Sequence, residues 1–419
     1  MISIQNVGEK EPFLLENIPE SLPTVEIVEV KKKFPERKLE NWLLSFRDWA
    51  IPRTDAPEAF IFWAGIFTIA AALEKRVKIP KSILASWECY PHMYMMFVGP
   101  PGMRKTTSMM SFANPLLTKA TNLVPGPTFF TKEALVNQLI QAKNNSLYLL
   151  VGEFSDIIQK GKPSEIFDFL TSMYDDKEKL EVNTMMRGME VGGKPCLNFF
   201  AASTPGWISQ NMGDSFMSGG LASRFIFAYA DKLRNPKLIY KKMMLDFKES
   251  EQAKLLEEDL KTITLLQGEF DITDEIEDVL NHWITGHAET SPSDKRMLGY
   301  HSRKPMMILK LAMIYSVAVR NELIIDMEAF NFGKFAVEST EGELHKVFSG
   351  VGKNEFIFDM NAITGYIHQE ERVSHDQLLS TFRSAAEPRK LQELIAGLVA
   401  MGDIKVEVGK DKIFYTIPS

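Results

Sequence analysis

The run Met95-Met96-Phe97-Val98, followed by Gly99-Pro100-Pro101-Gly102-Met103-Arg104-Lys105-Thr106, sets the tightest limit on how this chain folds. A short apolar run, a Gly- and Pro-rich loop and a Lys-Thr pair read as a strand, a phosphate-cradling loop and the start of a helix. In such a loop, backbone N–H groups point at the β-phosphate, a lysine reaches the β- and γ-oxygens, and a Thr or Ser hydroxyl holds magnesium. Lys105 and Thr106 stand where those roles require. Gly99, Pro100, Pro101, Gly102, Met103, Arg104 and Thr107 complete the expected nucleotide-binding loop. Arg104 departs from the pattern GxxxxGK(S/T), because it occupies the place of the second glycine. It either adds charge near the phosphates or perturbs the loop.

A chain of 419 residues exceeds one ordinary core and fits two or three domains. Its hydrophobic fraction of 45% and charged fraction of 25% are globular values, which argues against disorder or a fibrous repeat. The two cysteines, Cys89 and Cys196, lie far apart and resemble neither a metal site nor a disulfide framework. A reducing cytoplasm is the expected compartment. The N-terminal MISIQNVGEKEPF lacks the basic and apolar blocks of a signal peptide. The most hydrophobic segment, Ala59 to Leu73, is shorter than the roughly 18 to 20 residues that span a bilayer, so it reads as a buried helix with no membrane partner. A net charge of −7 gives no general attraction to nucleic acid. DNA contact would rest on a local basic stripe or on a channel built by several subunits.

Five regions follow from patterning. Residues 1–38 mix acids and prolines with Lys31-Lys32-Lys33 and read as a flexible arm. Residues 39–90 form a helical region whose aromatics, Trp42, Phe46, Trp49, Phe60, Phe62, Trp63 and Phe67, read as core packing rather than a ligand-stacking site. Residues 91–235 alternate short apolar strands with helices, as a parallel sheet with crossovers does. The expected strands are Tyr94 to Val98, Thr128 to Phe130, Leu147 to Val151, Leu197 to Ala201 and Phe225 to Ala228, with Thr131 capping a helix. Residues 236–350 read as an α-helical lid, with helical stretches at Glu249 to Leu260 and Met306 to Ile314. Residues 351–419 read helix, helix, helix, hairpin, which is the pattern of a winged helix. There Ser374 is an N-cap and Pro388 starts an amphipathic stretch.

Leu147 to Val151 delivers Gly152 and Glu153 to a strand end, where Glu153 is placed to polarise an attacking water. The plainer role for Glu153 is capping the next helix. Gly152 stands where an aspartate is common, so magnesium falls to Thr106 with Asp156 or Asp175. Ser203 and Thr204, ending the strand before Pro205, either sense a γ-phosphate or cap a helix. Arg224, at a strand start behind Gly219-Gly220, suits an arginine finger, although arginines there are more often ordinary ion-pair formers. Arg303 and Arg187 are weaker candidates for phosphate contact. In the last region His368, His375, Arg383, Arg389, Lys390 and Lys410 are available to a nucleic-acid backbone, but acidic neighbours are as numerous, and winged helices also dock proteins.

Four stretches, GPPGMRKTT, Val151-Gly152-Glu153-Phe154-Ser155, Met173-Tyr174-Asp175-Asp176 through Phe200-Ala201-Ala202-Ser203-Thr204-Pro205, and GGLASRF, together resemble a known family. It is that of phage- and plasmid-borne P-loop ATPases of the primase-helicase-like kind, AAA+ or superfamily 3-like, and the likeness covers roughly Leu39 to Ala318. The resemblance implies an AAA+-like α/β core with ATP and Mg2+ at Lys105 and Thr106, Glu153 as catalytic glutamate and Arg224 as finger. It also implies a homo-oligomeric ring, a hexamer, moving on single-stranded or forked DNA, with a separate primase or initiator as partner. No primase motif or zinc pattern is present. The expected function is an ATP-dependent DNA helicase or translocase in replication of a phage or mobile element. The alternatives are an ATP-driven assembly switch, acting as initiator or loader, and a nucleotide-regulated protein scaffold.

Overall fold

The computed structural model describes residues 34–85, 87–158, 163–175, 179–184, 188–212, 216, 220–237, 250–292, 294, 297–348, 355–382, 388–409 and 413–418. Expectations for the arm up to residue 33, for Arg187, Arg383 and the Lys410 turn, and for the Lys390 side chain lie outside what is described. Four strands form the centre: β1 (Tyr94–Val98), β2 (Ser146–Val151), β3 (Cys196–Ser203) and β4 (Phe225–Tyr229). They run parallel in the order β2-β3-β1-β4. Their residues are mostly apolar without alternation and almost all buried, as strands covered on both faces must be. Aromatic rings bind the layers together: Phe97 of β1 stacks on Phe60 at 4.7 Å and meets Phe200 of β3 edge-on at 4.8 Å. The chain is a mixed α/β fold around a parallel sheet.

Thr128 to Phe130 is not a strand. Among the described residues the chain touches the open edge of β2 once, through Gly126 N–H to Tyr148 O at 2.8 Å, and then leaves it. Pro125 and Pro127 lack the N–H groups that a longer ladder needs. The helix expected after it does form, as Lys132–Gln141 with Thr131 accepting from Ala134 N.

The apolar segment at 59–73 becomes the helix Glu58–Leu73, buried almost all round, as a helix without a polar face requires. Among the described residues no helix is long and apolar enough to cross a membrane. The preceding helix Trp42–Ala50 packs on the helix Glu251–Ile263, with Trp42 Nε1 donating to Leu256 O at 2.9 Å. Buried Asp259 accepts from the backbone of Lys38 and Leu39 and pairs with Arg37 at 3.1 Å. Val77–Lys78 also pairs with Gly268–Glu269. The regions that patterning separates as 39–90 and 236–350 are therefore knitted together rather than packed apart.

The long helix Leu298–Val319 lies against Met327–Glu341 at close range. A Cβ on Gly333 would stand 2.4 Å from Ile308 O and 3.2 Å from Ala312 N, so only glycine permits this approach. Gly333→Ala is expected to cost about 2 to 3 kcal/mol by forcing the helices apart, read as a lower urea midpoint. An unchanged midpoint would contradict the close packing. Towards the end of the chain, Arg372–Ser374, Ile413–Thr416 and Lys405–Val408 form an antiparallel sheet with Ile413–Thr416 in the middle. Ser374 and Gln377 close a capping box, and Pro388–Met401 covers a small core of its own. Its charges are mixed: Arg372 pairs with Glu407 at 3.0 Å and Arg389 with Glu393 at 3.7 Å, while His375 Nδ1 lies 3.0 Å from Tyr415 Oη.

Candidate functional site

At the carboxyl edge of the sheet, Val98 of β1 stands level with Ser203 of β3, and β2 ends beside them. Connections leaving β1 and its neighbours in opposite directions open a crevice there, the usual ligand position in open α/β sheets. The loop Gly99 to Arg104 is shaped by close approaches. A Cβ on Gly99 would lie 2.1 Å from Ala230 O, which excludes any other residue. Gly102 has φ +85° and Arg104 has φ +58°, both in the left-handed region that favours glycine. Helical structure begins at Lys105.

Arg104 keeps this conformation because its guanidinium grips buried Asp55, with Nε–Oδ1 at 2.9 Å and Nη2–Oδ2 at 3.2 Å. The left-handed conformation costs a non-glycine residue roughly 1 to 2 kcal/mol, which a bidentate charge-assisted pair is large enough to offset. The Arg104 hydrogen bond in turn holds the Asp55 carboxyl below its ordinary range. Arg104 thus anchors the loop to the segment before Glu58–Leu73, a role that neither sequence reading contained.

A cleft of about 410 Å³ opens between three walls. Pro101, Gly102, Met103, Arg104, Lys105, Thr106 and Thr107 form the first, Gly152, Glu153 and Asp156 the second, and Ala202, Ser203 and Thr204 the third. Lys105 Nζ donates to Gly99 O at 2.7 Å and Pro100 O at 2.8 Å. Burial pulls its pKa down, and Glu153 pushes back up. Thr106 Oγ1 donates to Gly152 O at 3.3 Å. Glu153 is exposed and accepts from Ser155 Oγ at 3.5 Å, while Phe154 N–H, bonded to Ala202 O at 2.8 Å, fixes the chain behind it. The Glu153 carbonyl also accepts from Asp156 N at 3.0 Å, so this residue opens a helical turn as well as lining the cleft. Ser203 is buried at the end of β3. Thr204 caps Pro205–Asn211, accepting from Trp207 N at 3.2 Å.

The sequence candidates divide at this point. A Cβ on Gly152 would meet Thr106 Oγ1 at 3.9 Å, so the place an aspartate would fill faces the hydroxyl but carries no carboxylate. Asp156 lines the cleft. Asp175 does not, because its two oxygens serve Arg224, at 3.1 Å from Nε with a second contact from Nη2, and Arg303 at 3.4 Å. Its assignment to magnesium is therefore replaced by a counter-ion role. Arg224 is buried at the amino end of β4, paired level with the start of β1. It lies a strand length, about 15 Å, from the loop of its own chain. Arg303 stands with Arg224, so neither lines the cleft, contrary to a phosphate contact within one chain. Among the described residues no three His, Cys, Asp or Glu side chains gather as a metal cage. A hard cation in the cleft would lean on hydroxyl, phosphate and water oxygens, a donor set that suits magnesium.

Sequence reading also passed over a charge in the core. Lys310 is buried in the long helix, donates to His92 O at 2.8 Å and lies 4.1 Å from the Tyr174 ring centre. Burial lowers its pKa to about 7. The signal was a lysine inside the apolar run Met306 to Ile314. No protein-family model matches the chain, and no curated protein matches it.

Proposed function

We propose that the cleft is the P-loop site of an ATPase and that the chain works as an AAA+-like ring on DNA. One observation carries this reading: a Lys-Thr helix start, a strand-end glutamate and a strand-end serine, from three separate stretches, wall a single cleft at the carboxyl edge of a parallel sheet. Phosphoryl transfer needs positioning and charge stabilisation more than covalent chemistry, and these residues supply both. Lys105 reaches the β- and γ-oxygens when it turns from the loop carbonyls. Thr106, with Asp156 on the facing wall of the same cleft, would hold magnesium, which supplies charge neutralisation on the phosphates. Glu153 orients the attacking water, and Ser203 contacts the γ-phosphate. Arg224 serves the cleft of a neighbouring subunit, which fits its position at the opposite sheet edge. The helices of 250–348 act as a lid, and 355–418 is a winged helix.

A second reading, an ATP-driven assembly switch with slow turnover, draws support from Gly152, which leaves the magnesium side of the cleft short of one carboxylate. Glu153→Gln tests the chemistry. It is expected to retain ATP binding while slowing phosphate release by about a hundredfold or more, the scale of losing a general base. Unchanged release would move the water-orienting role to Asp156. ATP hydrolysis indifferent to single-stranded DNA would favour the switch over the motor.

A further inference from the structure

We infer that Arg224 and Arg303 form an anion seat that the Asp175 carboxylate fills from within, and that a phosphate group enters by displacing it. The inference rests on reading Arg224 as a finger for a neighbour's nucleotide, and it adds how that finger is held beforehand.

The seat is built rather than incidental. Arg224 comes from the start of β4 and Arg303 from the long helix, yet both converge on one carboxylate. Arg224 Nη1 donates to Gly220 O at 2.6 Å, and a Cβ on Gly220, whose φ is +79°, would crowd that nitrogen to 2.8 Å. Glycine at 220 is therefore part of the arginine's housing. The exposures are unequal: the Arg224 side chain is 7% exposed and that of Asp175 is 47%. The buried, fixed member is the cation, and the accessible, movable member is the anion.

Asp175 follows the end of the helix Pro163–Tyr174, so a side-chain rotation releases it without moving the sheet. Its two oxygens meet the guanidinium as a phosphate's would, since fork geometry suits both. Two arginines against one carboxylate leave a net positive charge, which a doubly charged phosphate matches better. The seat opens into a cleft of about 620 Å³ whose lining includes Trp87, which provides a fluorescent reporter in the same cleft. A tethered carboxylate competes at millimolar effective concentration or above. A free anion should therefore bind the wild type weakly and gain when the carboxylate is neutralised.

The test uses tripolyphosphate, followed by Trp87 emission as the difference from Trp87→Phe, in a Lys105→Ala chain. The loop site is then already disabled and no nucleoside is involved, so failure here is separable from failure of the ATPase reading. Asp175→Asn is expected to bind at least tenfold more tightly than its parent, and adding Arg303→Ala should remove the gain. No gain, or a gain that survives Arg303→Ala, overturns the proposal. If Asp175→Asn does not fold, the parent carries the test at high tripolyphosphate. Its Trp87 emission should change, and Arg303→Ala should abolish that change; no change, or one indifferent to Arg303→Ala, again overturns it.

Discussion

Lys105→Ala is expected to lower ATP hydrolysis at least a hundredfold while leaving the fold intact. The ammonium bonds two loop carbonyls, Gly99 O and Pro100 O, at the wall of an open cleft, so water can take its place in the folded chain. Losing a hydrogen bond from a charged donor costs about 1.5 to 3 kcal/mol where nothing replaces it, and less where water can. The phosphates have no such substitute, because a fixed donor aimed at developing charge is worth roughly 10² to 10³ in rate. Phosphate release and the thermal midpoint, measured on the same preparation, separate the two effects. Retained turnover would remove Lys105 from the phosphate site. A collapsed midpoint would show that the lysine holds the loop rather than the ligand.

The second large effect is on stability. Lys310 has a folded-state pKa of about 7 against an ordinary 10.5, with burial as the main cause and the nearby Lys75 and Arg303 adding to it. Cys89 and Cys196 face it as buried thiols whose own pKa values burial raises to about 12 and about 11, so they stay neutral beside it. His92, also buried, is held neutral by burial first and by Lys310 second. Between pH 7 and 8.5 the unfolded chain therefore binds the Lys310 proton and the folded chain progressively does not. Stability accordingly rises with pH, with a slope below the ~1.4 kcal/mol per pH unit of one full proton, because the two thiols begin to ionise in the unfolded chain over the same range. At about pH 8.5 the two half-ionised thiols of the unfolded chain offset the lysine's effect, and the rise levels off. Lys310→Met should flatten the slope and raise stability at pH 7 by about 1 to 4 kcal/mol, because a well-packed apolar side chain replaces a desolvated charge. Urea midpoints at the two pH values decide it. A flat wild-type curve, or a Met variant as sensitive as the parent, would contradict the assignment.

What the sequence made legible was local. The strand, glycine loop and Lys-Thr helix start are contiguous, so apolar patterning and turn chemistry locate them together. The strand ends at Glu153 and Ser203 follow from buried runs of plain length. The Thr128 to Phe130 strand failed because its apolar character was read without the prolines at 125 and 127. Long-range pairing stayed invisible: nothing near Arg104 in sequence points to Asp55, and nothing near Asp175 points to Arg224 and Arg303. The fold brings those charges together, and that turned one proposed magnesium ligand into a clamp. Lys310 was open to a stricter rule, since a lysine inside an apolar helical run must find a partner or give up its charge.

The most direct test of the ATPase account is steady-state ATP hydrolysis by the wild-type chain across a range of protein concentrations, with and without single-stranded DNA. The account predicts specific activity that rises with protein concentration, as Arg224 meets a neighbour's cleft, and a further clear rise on adding DNA. No hydrolysis above the Lys105→Ala background at any concentration would contradict it.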